Sequence, residues 1–459
     1  MTGQSDNVTP VKKLGHLSWY VVATFFNSSF TSLTIFGPAF IFYLTDLGLD
    51  KARIGVLLSF IPFAGIVAPL AASAVGRFGL KRSFVSFWGL RKVAFTFILF
   101  VPFILHQFGS DAAFALVAGV IITFSLCRAI AETGFYPWLQ ELIPNSIRGK
   151  FNALNGIVAT LVGMVTTAVA SYVVDHAQGV ERFTILFIVG LAAGIIAVVC
   201  YAMLPGGAPV QVDSDHTSRA DEMRHALHNR NFTQFLLTLA LITLGGSIGS
   251  SFIALYANEQ IGLSSGNVVL LTIGASIGAL ISSYPLGWAT DRYGSRPVMV
   301  IGLAASLIGP IGWLIMPRHS PLGLVFAMLL SFLGTLAGTA WGAGSGRYLF
   351  VNAVPIDKKT GYMAVWYAWN AIIGGCGPLI AGGLLHVLAN MNSNLLGFTI
   401  DAYTPLFAFN IFTLIAGIVL TNRMKDDEAL PLRMVGRIML RPLHHTWLRL
   451  RHAARVPGR

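Results

Sequence analysis

Residues 183–204 read FTILFIVGLAAGIIAVVCYAML and contain no charged side chain. In helical geometry about 20 apolar residues cross a hydrocarbon core of about 30 Å, so this stretch is long enough to span a membrane. The whole chain has the same character, with 55% hydrophobic residues, 11% charged residues and a mean hydropathy of +0.70. These values exclude an ordinary soluble protein. Because such runs are too long for barrel strands, they predict transmembrane helices.

Twelve stretches of this kind, called segments 1 to 12 below, follow one another along the chain. They are Ser18–Leu44, Ile54–Val75, Ser83–Leu105, Phe114–Trp138, Phe151–Val174, Phe183–Leu204, Phe232–Tyr256, Val268–Ala289, Pro297–Met316, Gly323–Phe350, Gly361–Leu388 and Pro405–Leu420. The sequence therefore predicts an all-α polytopic membrane protein with twelve transmembrane helices.

The basic residues are distributed unevenly between the two sides of the membrane. Of the 31 Lys and Arg residues, 23 lie in the two tails, in the central stretch 205–231 and in the loops after segments 2, 4, 8 and 10. By the positive-inside rule these parts, including both termini, are cytoplasmic. Membrane orientation then explains the net charge of +12. We expect an integral multi-pass protein of the inner membrane whose partners are membrane lipid and a small-molecule solute, and not nucleic acid.

A polar stretch divides the twelve segments into two sets of six. Residues 205–231 begin with Pro-Gly-Gly and continue with several charged side chains, which is typical of a linker. The predicted domains are an N-terminal tail at 1–17, a six-helix bundle at 18–204, the linker at 205–231, a second six-helix bundle at 232–421 and a basic tail at 422–459. The sequence leaves two alternatives for the basic tail: an amphipathic helix lying on anionic lipid, or a solvated disordered segment.

The loop after segment 2 is repeated after segment 8. Residues 287–297 read GWATDRYGSRP, and residues 72–82 read ASAVGRFGLKR. A second pair of similar loops follows segments 4 and 10, again at an offset of about 210–215 residues, as an internal duplication predicts. Here the chain resembles the major facilitator superfamily of secondary transporters, whose signature in this loop is Gly-x-x-x-Asp-Arg-x-Gly-Arg-Arg. The resemblance covers nearly the whole chain and implies two six-helix pseudo-repeats around a central cavity.

The second copy of the loop matches this signature better than the first. It retains Gly287, Asp291, Arg292, Gly294 and Arg296, whereas the first copy retains Arg77, Gly79 and Lys81 but has Ala72 and Gly76 in place of the Gly and the Asp. A tight cationic turn can pair with a charged group or a helix N-terminus of a neighbouring bundle and hold one side of a transporter closed. We predict a gating loop at these residues; a purely topogenic role of the charges is the alternative.

Segment 4 carries a cation and a carboxylate at membrane depth. Residues 126–137 read LCRAIAETGFYP, so Arg128 and Glu132 are four residues apart and share one helix face. A charge at this depth costs about 2.5–3.5 kcal/mol even on lenient scales, so the two side chains are expected to pair. The pair is either structural, or functional with Arg128 binding an anionic substrate and Glu132 carrying a proton.

The stretch from Glu132 to Pro137 is similar to the Glu-Ala-Gly-x-Phe-Pro stretch of the anion:cation symporters, which carry organic anions with protons or sodium. In that branch an Arg lies two turns before the Glu, where this chain has Ser125. The resemblance therefore supports the proton-coupling role of Glu132 more than the anion-binding role of Arg128.

Further substrate-binding candidates lie on other segments that line the cavity in this family. They are Asn27 in segment 1, Arg347 in segment 10, and Trp369 and Asn370 in segment 11. The alternative roles are helix packing for the stretch around Asn27, a gate at Arg347 and an interfacial aromatic belt for the segment 11 residues. Arg91 and Lys92 lie only about two to three helical turns from the cytoplasmic start of segment 3, so we expect their side chains to extend to the interface.

Buried cations outnumber the buried carboxylate, and an anionic substrate is the simplest way to balance them. The predicted function is import of a small organic anion, such as a sugar acid or another carboxylate, with protons by alternating access; sodium is an alternative coupling ion. A multidrug/proton antiporter, a neutral sugar transporter and a ligand sensor on the same fold remain open. The sequence contains no Walker-type loop, nucleophile elbow or metal-ligand spacing, so we expect no enzyme, no cofactor and no metal site.

Overall fold

The computed structural model describes residues 10–143, 145–177, 179–209, 216–355, 359–395 and 398–424. The helices of the first half are Pro10–Leu33, Pro38–Asp46, Lys51–Phe63, Val67–Phe78, Leu80–Thr96, Val101–Leu142, Asn145–His176 and Glu181–Ala202, with 3-10 turns at Ala64–Ile66 and Phe97–Phe100. The remaining helices are His216–His228, Arg230–Ser250, Ile253–Glu259, Ser265–Tyr293, Ser295–Ser306, Ile308–Ile315, Gly323–Tyr348, Lys359–Val387 and Thr404–Asn422, with a π-helical turn at Leu349–Ala353. Two short strands, Asn392–Leu395 and Phe398–Asp401, form an antiparallel hairpin before the last helix.

These helices form twelve membrane crossings. Among the described residues, eleven helical stretches are long and apolar enough to span a membrane, but one of them, Leu80–Leu142, has 63 residues and would measure about 95 Å as a straight helix. The helix is interrupted at Gly109, where φ is 83° and ψ is −178°, a conformation that only glycine adopts readily. The chain folds back there, because the rings of Phe84 and Phe135 on either side lie 4.7 Å apart. The stretch is two crossings, segments 3 and 4, and the predicted all-α architecture is confirmed.

The two halves have the same internal packing. In the first bundle, segment 1 packs against segments 5 and 6, segment 4 against segments 2 and 3, and segment 3 against segment 6. In the second bundle, segment 7 packs against segments 11 and 12, segment 10 against segments 8 and 9, and segment 9 against segment 12. Each of these helix pairs of the first bundle therefore has a counterpart six segments later. An internal duplication explains this pattern.

Local backbone features repeat as well. Gly48 after segment 1 and Gly262 after segment 7 have φ values of 76° and 83°. Two residues later, Asp50 and Ser264 each cap the next helix, because their side chains accept a hydrogen bond from a backbone N–H of its first turn. The shared offset is about 214 residues, close to that of the repeated loops. This third repeat signal, Gly-Leu-Asp against Gly-Leu-Ser, was present in the sequence and was missed.

Segments 1 and 7 are both interrupted near the same level. Segment 1 consists of the helices Pro10–Leu33 and Pro38–Asp46, so it begins before the expected Ser18, and a proline starts its second helix. Segment 7 consists of Arg230–Ser250 and Ile253–Glu259, although no proline lies at its break. Interrupted helices in corresponding positions of two repeats are typical of secondary transporters.

The two bundles meet mainly along two helix pairs, segment 2 with segment 11 and segment 5 with segment 8, and the second helix of segment 1 also contacts segments 7 and 8. The membrane face that carries the linker is called the linker face below, and the opposite one the far face. Near the far face the backbones of segments 2 and 11 touch, because a Cβ on Gly382 would lie 2.9 Å from the Cα of Gly55. Asp175, at the end of segment 5, accepts hydrogen bonds from the Gly266 N–H at 2.7 Å and the Ser264 hydroxyl at 2.9 Å.

Ion pairs join the bundles at the same face. The Lys51 ammonium lies 2.6 Å from the Glu259 carboxylate, and the Tyr403 hydroxyl donates to the same carboxylate at 2.8 Å. Burial and the neighbouring Glu259 raise the pKa of Tyr403, so this hydroxyl stays a donor. His386 lies 3.4 Å from Asp50. These ion pairs and the hydrogen bonds of Asp175 and Ser171 to segment 8 connect the two bundles at the far face, which is therefore closed.

The start of the linker is attached to the first bundle. The indole N–H of Trp138 donates to the carbonyl of Pro205 at 3.0 Å. Gly207 donates its N–H to the Glu141 carboxylate at 3.2 Å and accepts from the N–H of Lys81 at 3.2 Å. These bonds fix the Pro-Gly-Gly stretch beside the loop after segment 2.

The helix His216–His228 attaches the rest of the linker to segment 11. The Glu222 carboxylate accepts the N–H of Gly361 at 2.8 Å in the first turn of segment 11, where a negative charge is favourable. Asn229 donates to the hydroxyl of Tyr362 at 3.1 Å, and His225 lies 3.0 Å from the same hydroxyl. The linker thus contacts both bundles. Residues 425–459, and with them the open question about the basic tail, lie outside the described residues.

Candidate functional site

Segment 4 places Arg128 and Glu132 on one helix face, as their spacing predicts. One Nη atom of Arg128 lies 3.5 Å from Oε1 of Glu132. Its second Nη atom donates to the Ile61 carbonyl of segment 2 at 3.3 Å, and the guanidinium lies 5.5 Å from the ring centre of Phe36 in segment 1. The Arg128 and Glu132 side chains are still 23% and 39% exposed. Arg128 is thus held by three segments, while both charges remain accessible.

Tyr136 extends this face toward the other bundle. It lies one turn after Glu132 and is 60% exposed. It interacts electrostatically with Glu132, with Tyr367 of segment 11 and with Arg128. Tyr367 is itself 49% exposed, so the two rings border the same space between the bundles. Sequence reasoning did not select either tyrosine, although the four-residue spacing of Arg128, Glu132 and Tyr136 was an available signal.

Arg91 is buried in the first bundle and does not reach the interface. It is 2% exposed, its Nη2 atom donates to Oδ1 of Asn27 at 3.3 Å, and its guanidinium lies 3.1 Å from the ring centre of Trp88. It also interacts electrostatically with Glu132 and Arg128. The amide oxygen and the aromatic face replace part of its hydration, which lets the cation remain inside. The expectation that this side chain extends to the interface is wrong.

Lys92 is buried in the same way, and the same correction applies to it. It is 2% exposed, and its Nζ atom lies 3.0 Å from the ring centre of Phe30 in segment 1. Gly194 of segment 6 leaves room for it, because a Cβ there would lie 3.1 Å from the lysine Cε. In the part of the chain that the structure describes, Nζ has no hydrogen-bond partner. Lys92 is therefore held by an aromatic face and not by a carboxylate.

The predicted binding residues of segment 11 make contacts within their own bundle. The indole N–H of Trp369 donates to the Leu236 carbonyl of segment 7 at 3.0 Å. The amide of Asn370 donates to the carbonyl of Trp366, one turn earlier, at 2.9 Å. Both side chains are half-buried. Among the aromatic residues of this stretch, Tyr367 is the most exposed, so it is a stronger candidate for solute contact than Trp369.

Arg347 lies beside the second copy of the repeated loop, away from Arg128 and Glu132. Its Nε atom is 3.6 Å from the Asp291 carboxylate, which is 81% exposed, and its Nη1 atom donates to the Ser295 hydroxyl at 3.3 Å. Arg296 donates to a backbone carbonyl at the end of segment 12 at 3.3 Å. The loop therefore ties segments 8, 10 and 12 together within the second bundle.

The other loop residues are placed as follows. Gly79 and Gly294 occupy equivalent turns with φ values of 103° and 91°. Lys81 contacts the linker through its backbone, as described above, and Arg77 is exposed. At the end of segment 8, the Arg292 guanidinium lies 5.4 Å from the ring centre of Trp288, and a Cβ on Gly287 would meet open space. A gating role for these residues stays a prediction.

This arrangement allows binding and proton exchange. An arginine with accessible donors can hold a carboxylate, a half-exposed glutamate can take up and release a proton, and two tyrosines can contact an apolar body or a cation. Among the residues that the structure describes, no three His, Cys, Asp or Glu side chains are grouped closely enough to hold a metal ion.

Known proteins share this architecture. The family model described as Major Facilitator Superfamily matches residues 21–282 and again residues 235–432. The chain belongs to the Major Facilitator Superfamily. The resemblance suggested by the repeated loop is therefore confirmed, and the protein is a multi-pass membrane transporter and not an enzyme.

Two curated relatives and one solved structure illustrate the similarity. The ectoine/proline transporter ProP of Corynebacterium glutamicum is 23% identical over 430 residues, which cover 84% of this chain and 81% of that protein. The gentisate transporter of the same organism is 23% identical over 322 residues, covering 67% of this chain and 70% of that protein. The crystal structure of the nucleoside transporter NupG superposes with a TM-score of 0.63 at 15% identity, covering 90% of this chain and 99% of that one. The last likeness concerns the fold alone.

Proposed function

We propose that this superfamily member transports a small organic anion bearing a carboxylate together with protons by alternating access. The observation that carries the proposal is the accessible Arg128–Glu132 pair in segment 4. A guanidinium presents its donors in a fork that matches a carboxylate, so Arg128 is the proposed anion-binding residue. Glu132, 3.5 Å away, is the proposed proton carrier, because protonation of the carboxyl releases Arg128 for the solute.

Charge balance inside the first bundle supports an anionic solute. Arg91, Lys92 and Arg128 lie within its segments, and Glu132 pairs with Arg128 and interacts electrostatically with Arg91. A buried cation without a counter-charge is unfavourable, so a bound carboxylate would stabilise this region. Sequence similarity supports a carboxylate in the solute, because gentisate, proline and ectoine, which name the solutes of the two relatives, all contain one, but only gentisate is a net anion.

A zwitterionic solute is the second candidate. Ectoine and proline carry a positive charge besides the carboxylate, and the site offers a group for each charge. Arg128 would hold the carboxylate, and Glu132 with the exposed rings of Tyr136 and Tyr367 would face the cation. In this scheme Glu132 stays ionised while the solute is bound, whereas an anionic solute favours its protonation.

Closure of the far face supports alternating access. With both termini and the linker in the cytoplasm, as the loop charges indicate, the far face is the outer one and the described conformation is closed to the outside. Transport then requires the Lys51–Glu259 pair and the Asp175 hydrogen bonds to break as the bundles rock. Localisation in the inner membrane and import of the solute are part of this proposal.

Ligand-dependent thermal stability tests the solute class. Purified protein would be heated with sugar acids and other carboxylates, including gentisate, then with proline and ectoine, neutral sugars and lipophilic cations. A ligand at 100 times its dissociation constant adds about 2.7 kcal/mol to the free energy of unfolding. We expect carboxylates to stabilise the wild-type protein, and we expect Arg128→Ala to abolish this stabilisation. Arg182→Ala, which breaks a far-face ion pair with Asp46, is the control and should preserve it. Stabilisation by neutral sugars or lipophilic cations alone would overturn the anion proposal.

The same panel distinguishes the two candidates. Preference for simple carboxylates over proline and ectoine supports the anion, and the reverse order supports the zwitterion. A Glu132→Gln protein lowers affinity for a zwitterion, because the partner of its cation is lost, but leaves affinity for an anion equal or higher.

Proteoliposomes test the coupling. In vesicles with a proton gradient, wild-type protein should accumulate the solute. Glu132→Gln should still exchange labelled for unlabelled solute across the membrane while losing gradient-driven accumulation, since exchange needs no net proton movement. Accumulation by Glu132→Gln at the wild-type level would remove Glu132 from the proton pathway, and dependence on sodium alone would replace the proton as the coupling ion.

A further inference from the structure

We propose that Arg91 sets the charge selectivity of the solute site by orienting the amide of Asn27. The inference rests on the proposed function, because it concerns the same site and its preference for a carboxylate. Arg91 is a positioning residue here: it is 2% exposed and acts on the solute through Asn27.

The hydrogen bond between the two side chains has only one possible polarity. A guanidinium donates and never accepts, so the atom of Asn27 that faces Arg91 is Oδ1, as the 3.3 Å bond from Nη2 shows. The NH2 group of Asn27 therefore points away from Arg91. Asn27 is half-buried, so the group that it presents to a solute is a donor. A donor attracts a carboxylate, whereas an exposed amide oxygen would repel it.

Arg91 is itself fixed, so it can fix its partner. Its guanidinium lies 3.1 Å from the ring centre of Trp88 and 5.1 Å from that of Phe124. The terminal torsion of an asparagine has broad, roughly two-fold preferences, so without Arg91 the amide can turn and present either its oxygen or its nitrogen. The aromatic contacts of Arg91 thereby determine which end of Asn27 is exposed.

Arg91 also lies beside the proposed anion site. It interacts electrostatically with Glu132 and with Arg128, which places the Asn27 amide in the same region of the first bundle. A carboxylate held by Arg128 then has a second donor in Asn27. If the solute is instead the primary amide of the same acid, it is neutral, and its hydrogen bonds to Arg128 and Asn27 lose the contribution of the carboxylate charge.

Lys92 provides a matched control. It is the next residue of the same helix, is equally buried and is also basic, but its Nζ atom lies on the ring of Phe30 and makes no described bond to Asn27. A general effect of losing a buried basic side chain would therefore be seen in both Arg91 and Lys92 variants. An effect transmitted through Asn27 would be confined to Arg91.

The experiment compares the best-binding carboxylate of the panel above with the primary amide of the same acid. Dissociation constants are measured on purified full-length protein for wild type, Arg91→Gln, Asn27→Leu, the double variant and Lys92→Gln. We expect Arg91→Gln to weaken carboxylate binding roughly 10- to 100-fold, the range for a hydrogen bond to a charged group, with little change for the amide. Asn27→Leu should have the same effect, and the double variant should be no worse than either single variant.

The outcomes separate this inference from the proposed function. If Arg91→Gln leaves the ratio of carboxylate affinity to amide affinity unchanged, the inference is overturned while the anion site stands. An equal loss of carboxylate affinity in Lys92→Gln also overturns it. Additive losses in the double variant show that Arg91 acts independently of Asn27 and also overturn it. If wild type itself does not prefer the carboxylate, the proposed function fails first. Should Arg91→Gln not fold, Arg91→Met, which keeps a long side chain but has no donor for Oδ1 of Asn27, must lower the ratio in the same direction, and an unchanged ratio overturns the inference.

Discussion

A single methyl group at the far face should change the conformational equilibrium of this transporter. Gly382 in segment 11 packs against segment 2 of the other bundle, whereas the adjacent Gly383 faces open space. We therefore predict that Gly382→Ala favours the conformation open at the far face and that Gly383→Ala does not. Because the two residues are neighbours in one helix, any gain in helix propensity, at most about 1 kcal/mol, is common to both variants.

The magnitude follows from the distances at this contact. A Cβ on residue 382 would lie 2.5 Å from the Lys51 carbonyl oxygen and 2.9 Å from the Cα of Gly55, closer than ordinary contacts of 3.4–4 Å. Relief requires the two backbones to separate by about 0.5–0.9 Å, and overpacking of this size costs about 1–3 kcal/mol. Because segments 2 and 11 belong to different bundles, opening the far face removes the clash. The open form should therefore gain about 5- to 150-fold in relative population.

Distances between spin labels on the two bundles provide the assay. Ser110 and Leu322 are exposed at the far face, in the loops before segments 4 and 10, and each would be replaced by Cys for labelling. The native cysteines to be removed first are Cys127, Cys200 and Cys376. We expect a longer-distance population to rise in Gly382→Ala alone.

Two results would refute this reasoning. One is a Gly382→Ala distance distribution identical to that of wild type at unchanged thermal stability, which would mean that the close contact costs nothing. The other is an equal shift in Gly383→Ala, which would assign the effect to the helix and not to the contact between bundles.

Two further predictions concern contacts at the two faces. Lys51→Glu should favour the form open at the far face by about 0.2–1 kcal/mol, a modest amount because the pair with Glu259 is partly exposed. Adding Glu259→Lys should restore the wild-type equilibrium. If the double variant does not restore the wild-type distances, this ion pair does not hold the far face closed. Glu222→Gln should lower the thermal midpoint of unfolding, because the charge that caps Gly361 at the start of segment 11 is lost. Asp221→Asn, which changes the adjacent exposed residue, should not lower it. Equal midpoints for the two variants would contradict the capping role of Glu222.

Local features of the site were predictable from the sequence. The pairing of Arg128 with Glu132 follows from a spacing of four residues, which fixes two side chains on one helix face in any fold. The twelve crossings follow from hydropathy, since lipid permits few alternatives to a continuous helix. These predictions depend on contacts within one segment, which is why they needed no knowledge of the packing.

Features that depend on other segments were not predictable. Arg91 and Lys92 are close enough to the interface to reach it, and only the positions of Trp88, Phe30 and Asn27 explain why they stay buried. Likewise, sequence alone did not indicate that Arg347 contacts the second copy of the repeated loop. The break in segment 7 has no proline to mark it.

The distribution of charge between the bundles constrains the shape of the solute. The first bundle contributes Arg128 and Glu132, whereas segment 11 of the second bundle contributes aromatic and amide groups near Tyr367 and Asn370. If alternating access moves the bundles relative to each other around a bound solute, the solute has to contact both of them to favour the change. A carboxylate group alone satisfies only the first bundle. We therefore expect the transported solute to carry, besides its carboxylate, a ring or a hydroxylated body long enough to reach segment 11, and the smallest carboxylates to bind without being carried.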